Sequence, residues 1–521
     1  MAVSDERHVA VPTAPPAPRS RTEPHRSTTA DPPAGTGPKP VDRLALRNVT
    51  WAGTAAAVAV TIGVTKAGTS MGSIQPDGPL GLWRPDFEHP LSWAVLALFG
   101  ITGLALAFLG LYRIVRAGRA DVRSVALAAA CWSAPMLVAP PVLSLDVWSY
   151  LAQGTMVGRG LDPYLFGPSM LGPGSVLDAV SPVWRDTPAP YGPLMLGGLR
   201  LLAAVSAGHM SVAALLLRGV VVLAVLVASG LAVRLARPDR RALALTLVAA
   251  NPLVILHLVG GAHLDALLGM VAALTVWCVR REWYAFAALA AASAFAIKLP
   301  GVLLVGYLLA HLLRRPTQFG RRLAMVAGHG ALMLGTVAGC ALVVPDGWGW
   351  AGAMDVPGMV RIYWAPASVV GGLLYALSTL AGAPYSYPEV LDAARSVVGA
   401  AGAVTIAALL WRAGAEPSWR RAGALVSGAL LIMAVSAPAM HAWYVVWGGV
   451  PLAACAGSRT LRWAIVLGSA LCFSAVPDQL GGTAWSALAV PVCLAVVVVD
   501  AVRTVTTPAL GGWSLAPDPL A

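Results

Sequence analysis

Long apolar segments follow one another along almost the whole chain, and this pattern constrains the fold most. Of the 521 residues, 57% are hydrophobic and 12% are charged, whereas about a quarter of a soluble domain is charged. So few charges cannot cover a water-facing surface, so lipid must surround most of the chain. The segments lack the alternation of a membrane β-barrel. The sequence therefore predicts an all-α integral membrane protein.

The basic residues are grouped in short clusters between the apolar segments. The net charge of +12 could suggest nucleic-acid binding, but that function needs a continuous basic surface. Arginine-rich loops of a membrane protein instead face the cytoplasm. We therefore expect no nucleic-acid partner. We place on the cytoplasmic side the arginines of residues 113–123, 234–241, 280–281, 314–322, 412–421 and 459–462.

This orientation limits which apolar segments can cross the bilayer. Segments 193–206 and 365–382 cannot both be ordinary spans, because the arginine loops between them would then face outward. We interpret each as a re-entrant or surface-lying helix attached to an outer loop. Segments 283–297 and 299–313 form a hairpin broken at Pro300, because proline interrupts a helix. The sequence predicts a polytopic bundle of about 14 transmembrane helices, with both termini inside.

Three parts of the chain differ in composition. Residues 1–44 are rich in Pro, Ser, Thr and Arg and lack the apolar core of a signal peptide, which predicts a disordered cytoplasmic tail. Residues 45–505 form the transmembrane domain of a multi-pass protein of the cell membrane, and residues 506–521 form a short cytoplasmic tail. The six cysteines lie in or beside apolar segments without metal-binding spacing, so neither disulfides nor a zinc site are predicted.

The longest polar stretch, residues 144–192, is predicted to lie outside and combines acids, aromatic residues, glycines and prolines. A loop of this length is usually functional. Asp146 follows an apolar helix that the Pro140-Pro141 pair ends near the membrane surface. Its carboxylate can act as a general base toward a sugar hydroxyl, or it can cap an interfacial helix that begins there. The residues alone leave both interpretations open.

Two runs of this loop, LDVWSYLAQGTMVGRGLDPYLFGP and SPVWRDTPAPYGPL, closely resemble the first outer loop of actinobacterial polyprenol-phosphate-mannose-dependent α-1,6-mannosyltransferases. The resemblance extends to NPLVILHLVGGAHLDALLG, AIKLP and MHAWYVVWG and covers most of residues 45–505. These enzymes are glycosyltransferases of the GT-C class, which build lipomannan and related lipoglycan cores. The resemblance implies a GT-C type helical bundle with an extracytoplasmic active site, in which residues 144–192 are the catalytic outer loop and Asp146 is the catalytic carboxylate.

The resemblance also implies a defined reaction. Asp146 accepts the proton of the acceptor mannose 6-hydroxyl, whose oxygen attacks the anomeric carbon of β-linked polyprenyl-phospho-mannose. Polyprenyl phosphate leaves, and the new linkage is α. The lipid-linked donor is a substrate, and no metal or other cofactor is expected. The expected partners are the lipid bilayer, this donor and a mannan or lipoglycan acceptor, and no oligomeric state is predicted.

Positive or hydrogen-bonding side chains on the outer side can bind the donor phosphate, where negative charge develops in the reaction. We assign this role to Lys298, His263, His257 and Arg159. Snorkelling toward the membrane surface is an alternative for Lys298, and interface capping is an alternative for the two histidines. The H-x5-H-x-D spacing can in principle bind a metal, but a turn separates the histidines, and we predict no metal site.

Aromatic rings and carboxylates suit the faces and hydroxyls of sugars, so further outer residues are candidates for binding the acceptor. Alternatives stay open for some of them. Arg185 and Asp186 can form a surface ion pair that contributes little, and His441 and Tyr444 can belong to an aromatic belt. The predicted acceptor-binding set is Tyr150, Asp162, Tyr164, Trp184, Arg185, Asp186, Tyr191, Asp265, Arg361, His441 and Tyr444.

A secondary transporter or lipid flippase is the alternative from another functional class. It predicts ionisable residues near helix midpoints and paired broken helices. Here Arg218 and Arg395 are the main mid-helix charges, no internal repeat is clear, and the acids gather in an outer loop. This pattern favours surface chemistry by a lipid-linked mannose transferase. Mannose itself is inferred from the resemblance, and arabinose or glucose donors remain alternatives.

Overall fold

The computed structural model describes residues 41–69, 78, 81–356, 362, 364–480 and 484–507. This part of the chain is helical, and its only β-type pairing is an isolated antiparallel bridge between Tyr191 and Lys298. In chain order the longer helices are α1 (Arg43–Ala67), α2 (Pro90–Arg116), α3 (Val122–Val138), α4 (Asp146–Gly158), α5 (Pro193–Ser206), α6 (Met210–Leu235), α7 (Arg241–Val248), α8 (Asp265–Arg280), α9 (Tyr284–Ile297), α10 (Val302–Leu313), α11 (Phe319–Ala341), α12 (Pro366–Leu380), α13 (Tyr387–Ala415), α14 (Trp419–Ser436), α15 (Val446–Cys455), α16 (Ser458–Leu471) and α17 (Ala484–Thr506).

Six of the described helices are long and apolar enough to cross a membrane, namely α1, α2, α6, α11, α13 and α17. The π-helical segment Val254–Gly260 and α8 form one more candidate, which is bent by 111° at the break between them. Several shorter apolar helices of 10–17 residues accompany these. The chain is thus a helical membrane protein, but the predicted number of about 14 spans is not confirmed in the described part.

The ends of the transmembrane domain lie close to the predicted boundaries. Helix α1 begins at Arg43, two residues earlier than expected, because the Asp42 side chain caps it by accepting the backbone N–H of Ala45 at 3.1 Å. Residues 1–40 and 508–521, which hold most of the two predicted tails, lie outside the described residues.

The two segments interpreted as re-entrant are short helices. Helix α5 has 14 residues and α12 has 15, whereas a span needs about 20. These lengths agree with the interpretation, although the path of either helix relative to a membrane stays a prediction.

Glycines allow the long helices of the bundle to approach closely. A Cβ added to Gly63 of α1 would lie 2.6 Å from the backbone nitrogen of Ala97 in α2, and one added to Gly100 of α2 would lie 2.7 Å from the carbonyl oxygen of Ala56. Small residues are typical of such contacts, because lipid supplies no hydrophobic drive between helices. Helix α3 packs on the same α1, so this pair supports the segment that leads to Asp146.

Four interruptions of the helices converge on one region of the molecule. The first follows α3 at the Pro140-Pro141 pair, and the second separates Val254–Gly260 from α8. The third is Lys298, whose extended backbone (φ −159°, ψ 145°) ends α9 before the turn at Pro300, as predicted. The fourth lies between α14 and α15. Because these breaks meet, side chains distant in sequence are brought together.

Candidate functional site

Asp146 is the first residue of α4, and its carboxylate is partly accessible. Its backbone N–H donates to Oγ of Ser144 at 3.1 Å, and Leu145 is the N-cap of the helix, so the capping interpretation of Asp146 is wrong. One carboxylate oxygen accepts a hydrogen bond from Nε1 of Trp184 at 3.2 Å. The other lies 3.6 Å from Nδ1 of His263, and the side chain is 21% exposed. A substrate hydroxyl can therefore reach a carboxylate that the protein holds in place.

The surroundings of Asp146 favour a proton acceptor that operates near neutral pH. Burial raises the pKa of the Asp146 carboxyl to about 6, while the Trp184 hydrogen bond lowers it, Asp265 raises it and Lys298 lowers it. Burial lowers the pKa of the His441 imidazole to about 4, helped by Lys298 and opposed by Asp265. His441 is therefore neutral at pH 7. A carboxylate with a pKa near the working pH is well suited to general base catalysis.

A buried ion pair lies beside Asp146. Nζ of Lys298 is 2.9 Å from Oδ1 of Asp265, and the two side chains are 12% and 2% exposed. The same oxygen accepts a hydrogen bond from Nε1 of Trp447 at 2.7 Å. The snorkelling interpretation of Lys298 is therefore wrong, because its ammonium points to a buried carboxylate. The pair depends on two helix breaks, since Asp265 starts α8 after the bend and Lys298 ends α9.

Three aromatic rings surround the Lys298 ammonium. The ring centroids of Tyr444, Trp447 and Tyr191 lie 4.2, 5.2 and 5.6 Å from Nζ, within the roughly 6 Å range of cation–π attraction. Burial alone would lower the pKa of Lys298, but Asp265 raises it, and the net pKa lies above its usual value. The ammonium thus stays charged and is held where it can face an anionic group.

Tyr191 is joined to Lys298 through the backbone. The two residues form the isolated bridge, and the N–H of Gly192 donates to the carbonyl oxygen of Ile297 at 3.0 Å. Only glycine fits at position 192, because an added Cβ would lie 2.3 Å from the carbonyl oxygen of Ala296. The end of the 144–192 loop is thereby attached to the helix break at Lys298.

Trp443 lies between two histidines and fixes one of them beside Asp146. Its ring centroid is 3.7 Å from that of His263 and 4.6 Å from that of His441, and both pairs are stacked. Nδ1 of His263 is also 3.4 Å from the hydroxyl of Tyr150. His257 is fully buried, and neither of its ring nitrogens has a hydrogen-bond partner within the described residues. The histidines are thus packed inside the site and do not cap an interface.

A cavity of about 170 Å³ opens next to Asp146. Liquid water occupies about 30 Å³ per molecule, so the cavity has room for several waters or a substrate group of similar bulk. The 144–192 loop, the segment around Trp364 and the break before α15 all contribute to its wall. Its polar and aromatic lining residues are Ser144, Asp146, Ser181, Trp184, Trp364, His441, Trp443, Ser474 and Gln479.

The structure therefore brings together ten of the residues that the sequence predicted for the site. They are Asp146, Tyr150, Trp184, Tyr191, His257, His263, Asp265, Lys298, His441 and Tyr444.

Three other predicted residues make contacts elsewhere in the loop, away from Asp146. Arg159 is exposed at the end of α4 and donates to the carbonyl oxygen of Leu171 at 3.2 Å. Asp162 accepts the backbone N–H of Tyr164 at 2.8 Å, and the Tyr164 ring is buried, 7% exposed. These contacts support the loop itself, and none of them reaches Asp146.

Arg185 and Asp186 do not form a surface ion pair with each other, so this alternative is wrong. Arg185 donates to the carbonyl oxygens of Val180 and Asp178, at 3.0 and 3.1 Å, and thus ties the loop together. Asp186 is exposed. Arg361, the last predicted residue, lies outside the described residues.

Sequence reasoning missed Trp447 and did not assign Trp443. Trp447 follows Trp443 by four residues, a spacing that places both on one face of a helix, so this signal was present in the sequence. Ser474 and Gln479 line the cavity without any motif that marks them. Within the described residues no group of three or more His, Cys, Asp or Glu side chains is placed to hold a metal ion. That no cofactor is needed stays a prediction.

Comparison with known families matches both halves of the chain. The family described as α-(1→6)-mannopyranosyltransferase, N-terminal domain, matches residues 50–314. The family described as MptB C-terminal domain matches residues 367–504. The first range contains Asp146, Asp265 and Lys298, and the second contains His441 and Trp447.

Individual relatives agree with these matches. The chain is 31% identical over 430 residues to α-(1→6)-mannopyranosyltransferase A of Mycobacterium tuberculosis, covering 77% of this chain and 79% of that protein. It is 28% identical to a probable α-(1→6)-mannopyranosyltransferase of Mycolicibacterium smegmatis, covering 81% of each chain. It is 27% identical to α-(1→6)-mannopyranosyltransferase B of Corynebacterium glutamicum, covering 68% of this chain and 63% of that one.

Proposed function

Because this chain belongs to the α-(1→6)-mannopyranosyltransferase family, we propose that Asp146 is the general base of mannosyl transfer from polyprenyl-phospho-mannose. The acceptor is an α-1,6-mannan of the lipomannan or lipoglycan type. Its 6-hydroxyl oxygen attacks the anomeric carbon and loses its proton to the Asp146 carboxylate. The bond from the anomeric carbon to the phosphate oxygen breaks, polyprenyl phosphate leaves, and the β-linked donor gives an α-linked product by inversion.

The environment of the Asp146 carboxylate is the observation that carries this proposal. It is a partly exposed acid at a cavity, oriented by Trp184 at one oxygen and close to His263 at the other. Its raised pKa makes it a stronger proton acceptor than an ordinary surface carboxylate. A general base must meet its substrate proton directly, and this accessible carboxylate can do so.

Lys298 supplies the positive charge that a phosphate leaving group requires. One N–H of its ammonium points to Asp265 and another meets the Tyr444 side chain. An ammonium has three donors, so one remains for a phosphate oxygen. The neutral imidazoles of His263 and His441 add hydrogen-bonding capacity on the same side. Since the ring of Tyr444 holds the ammonium at 4.2 Å, the charge is preorganised for the transition state.

The proposed enzyme works on the extracytoplasmic face of the plasma membrane. The arginine clusters support this orientation, because positively charged loops favour the cytoplasmic side. The arrangement of Arg218 argues against the transporter alternative. That mid-helix charge is used entirely by carbonyl oxygens of the protein, so it offers no site for a passing ion or substrate.

The test uses the full chain purified in lipid nanodiscs, with labelled polyprenyl-phospho-mannose and a short α-1,6-mannoside. Wild type should elongate the acceptor, and Asp146→Asn should lower turnover by about 100-fold or more, the usual contribution of a general base. Asp178→Asn, an exposed carboxylate of the same loop, is the matched control and should keep wild-type turnover. Absence of product with wild type, or normal turnover with Asp146→Asn, would overturn the proposal.

The identity of the sugar is tested in the same assay. Polyprenyl-phosphate donors carrying arabinose or glucose are offered alone and in competition with the mannose donor. We expect transfer from the mannose donor only. Faster transfer of arabinose or glucose would keep Asp146 as the base but reassign the donor.

A further inference from the structure

Arg218 lies in α6 at a point where two helical segments end. Its side chain is 2% exposed. Helix α3 ends nearby at the Pro140-Pro141 pair, and the π-helical segment Val254–Gly260 ends at the opposite side. A buried charge is costly unless its hydrogen bonds are satisfied, so the partners of this guanidinium reveal why it is there.

All five N–H donors of the guanidinium meet a backbone carbonyl oxygen. Nε donates to Val259 at 3.0 Å, and Nη2 donates to Gly260 at 2.8 Å. Nη2 also donates to Pro140 at 3.1 Å. Nη1 donates to Leu137 at 3.1 Å and to Ala139 at 2.6 Å. One side chain thus connects the end of α3 with the end of the π-helical segment.

These carbonyl oxygens need such a partner because the helices that carry them stop. The oxygen of Leu137 would pair with the N–H of Pro141 in a continuous α-helix, but proline has none. The C-terminal ends of helices also carry partial negative charge. Two such ends converge on Arg218, so backbone dipoles supply the counter-charge that a carboxylate would otherwise supply.

The two connected segments lead directly to the proposed catalytic groups. The N–H of Val142 donates to the carbonyl oxygen of Gly260 at 3.1 Å, and Asp146 follows four residues later. The π-helical segment carries His257 and continues to His263, whose Nδ1 lies 3.6 Å from Asp146. A shift of one segment against the other would therefore change the distance between the carboxylate and the imidazole.

From these contacts we propose that Arg218 is a positioning residue, which clamps the ends of α3 and Val254–Gly260 together and so sets Asp146 against His263. The kinetic test of this inference rests on the proposed function, whereas the structural test is independent of it. A residue that acts only on overall stability would loosen the whole bundle, whereas this clamp acts on two short stretches, 137–146 and 257–265.

The main test variant is Arg218→Lys, which keeps the charge but cannot reach five carbonyl oxygens. Ser229→Ala is the matched control, because Ser229 is a buried polar residue of the same helix and its hydroxyl has no partner in the described structure. A second route to the clamp is Gly261→Ala, whose added Cβ would lie 2.6 Å from the carbonyl oxygen of His257 and 2.9 Å from that of Val142.

Hydrogen–deuterium exchange is measured first, in nanodiscs and without substrate. Arg218→Lys and Gly261→Ala should speed exchange in residues 137–146 and 257–265 and leave α1 and α2 at wild-type protection. Transfer kinetics follow. A misplacement of about 1 Å can cost about 100-fold in rate, so turnover should fall on that scale while KM for the donor changes by less than about threefold. The acidic midpoint of the pH profile should also move down toward about 4, the range of an ordinary carboxyl, because burial raises the pKa of Asp146 and a loosened stretch 137–146 lets water reach its carboxylate.

Two results would overturn the clamp. One is wild-type exchange and turnover in Arg218→Lys, and the other is faster exchange along the entire bundle with no selective effect. If Arg218→Lys does not fold, Gly261→Ala decides, and wild-type behaviour of that variant counts against the proposal. If wild type itself transfers no mannose, the proposed function fails, and the exchange data still decide on the clamp.

Discussion

Nζ of Lys298 lies 2.9 Å from Oδ1 of Asp265, and the two side chains are 12% and 2% exposed. The attraction within such a pair is offset by the cost of removing both charges from water. Removing one partner leaves the other charge buried and unpaired, and this destabilises the fold far more than removing both partners does. The pair therefore acts as a unit that holds the bend before α8 against the end of α9.

The two single substitutions in this pair should together cost more stability than the double substitution does. Asp265→Asn and Lys298→Met should each lower the free energy of unfolding by about 3–5 kcal/mol, and the double variant by less than the sum. Unfolding in mixed micelles, followed by tryptophan fluorescence, measures this. Glu282→Gln is the control. Its exposed ion pair with Arg315, at 3.5 Å, should contribute at most about 1 kcal/mol. Additive losses in the double variant would contradict the prediction.

The rate of mannosyl transfer should rise with pH through a midpoint of about 6. Asp146 accepts a proton only when ionised, and burial raises its pKa to about 6, so transfer is lost below that pH and reaches a plateau above it. The groups that face the carboxylate are His263, Asp265 and Lys298, together with Tyr150, Tyr191 and Tyr444.

The measurement is kcat/KM between pH 4.5 and 8 at constant ionic strength. Residual activity of Asp146→Asn should lack this midpoint. A midpoint near 4 in wild type would mean that the carboxylate is not desolvated. A decrease of the rate above pH 6 would mean that the protonated form is the active one, which contradicts the role of base.

Local sequence signals marked single candidate residues at the ends of helices. Asp146 stands out as a candidate because two prolines end the preceding helix and a polar loop follows, while its proposed role comes from the resemblance to the mannosyltransferases. Lys298 was identifiable because it stands two residues before Pro300. In both cases a helix breaker nearby in the sequence places the residue at the end of a helix, so local sequence determines its position.

The contacts between these residues were not predictable from the sequence. Asp265 and Lys298 are 33 residues apart, and their ion pair exists because two breaks from different helices pack together. The same explanation holds for Arg218. Its partners lie 41, 42 and 78 to 81 positions away, at helix ends that pack together. Arg159 was assigned to the phosphate because its charge stands in the outer loop, but the end of α4 turns it toward Leu171.

The number of spans was the least predictable feature. Runs of Ala, Leu, Val and Gly continue through bends, so hydropathy does not show where one helix stops and another starts. The bend of 111° before α8 lies at Gly260-Gly261 and Ala262, a sequence that also fits a tight turn between two spans. A single broken helix and a hairpin therefore look alike in the sequence.

Gly192→Ala should reduce both stability and transfer. The added Cβ would lie 2.3 Å from the carbonyl oxygen of Ala296, and backbone atoms cannot yield as a side chain end can. We expect a loss of about 1–3 kcal/mol in the free energy of unfolding and slower transfer, because Tyr191 is displaced from Lys298. Gly198→Ala in α5 is the control, since nothing lies within 4 Å of its added Cβ. It should be neutral or stabilise by about 0.5–1 kcal/mol. Equal behaviour of the two variants would contradict the prediction.

Trp447→Phe should separate the hydrogen bond to Asp265 from the aromatic contact with Lys298. In the wild-type protein the indole ring centroid of Trp447 lies 5.2 Å from the ammonium. Phenylalanine keeps a ring there but removes the N–H that donates to Oδ1 of Asp265 at 2.7 Å. A hydrogen bond to a charged group contributes about 1.5–3 kcal/mol, so the free energy of unfolding should fall by that amount. KM for the lipid-linked donor should change little in this variant, because Lys298 remains charged and in place.

Trp447→Leu removes the hydrogen bond and the ring together and should also raise KM for the donor. Trp463→Phe, at a tryptophan that is 63% exposed, controls for the loss of an indole as such and should behave as wild type. Donor titrations at saturating acceptor, together with unfolding in mixed micelles, distinguish the two effects. If Trp447→Phe and Trp447→Leu raise KM equally, the ring is not what holds the Lys298 ammonium toward the phosphate. The hydrogen bond to Asp265 would then be the contact that places it.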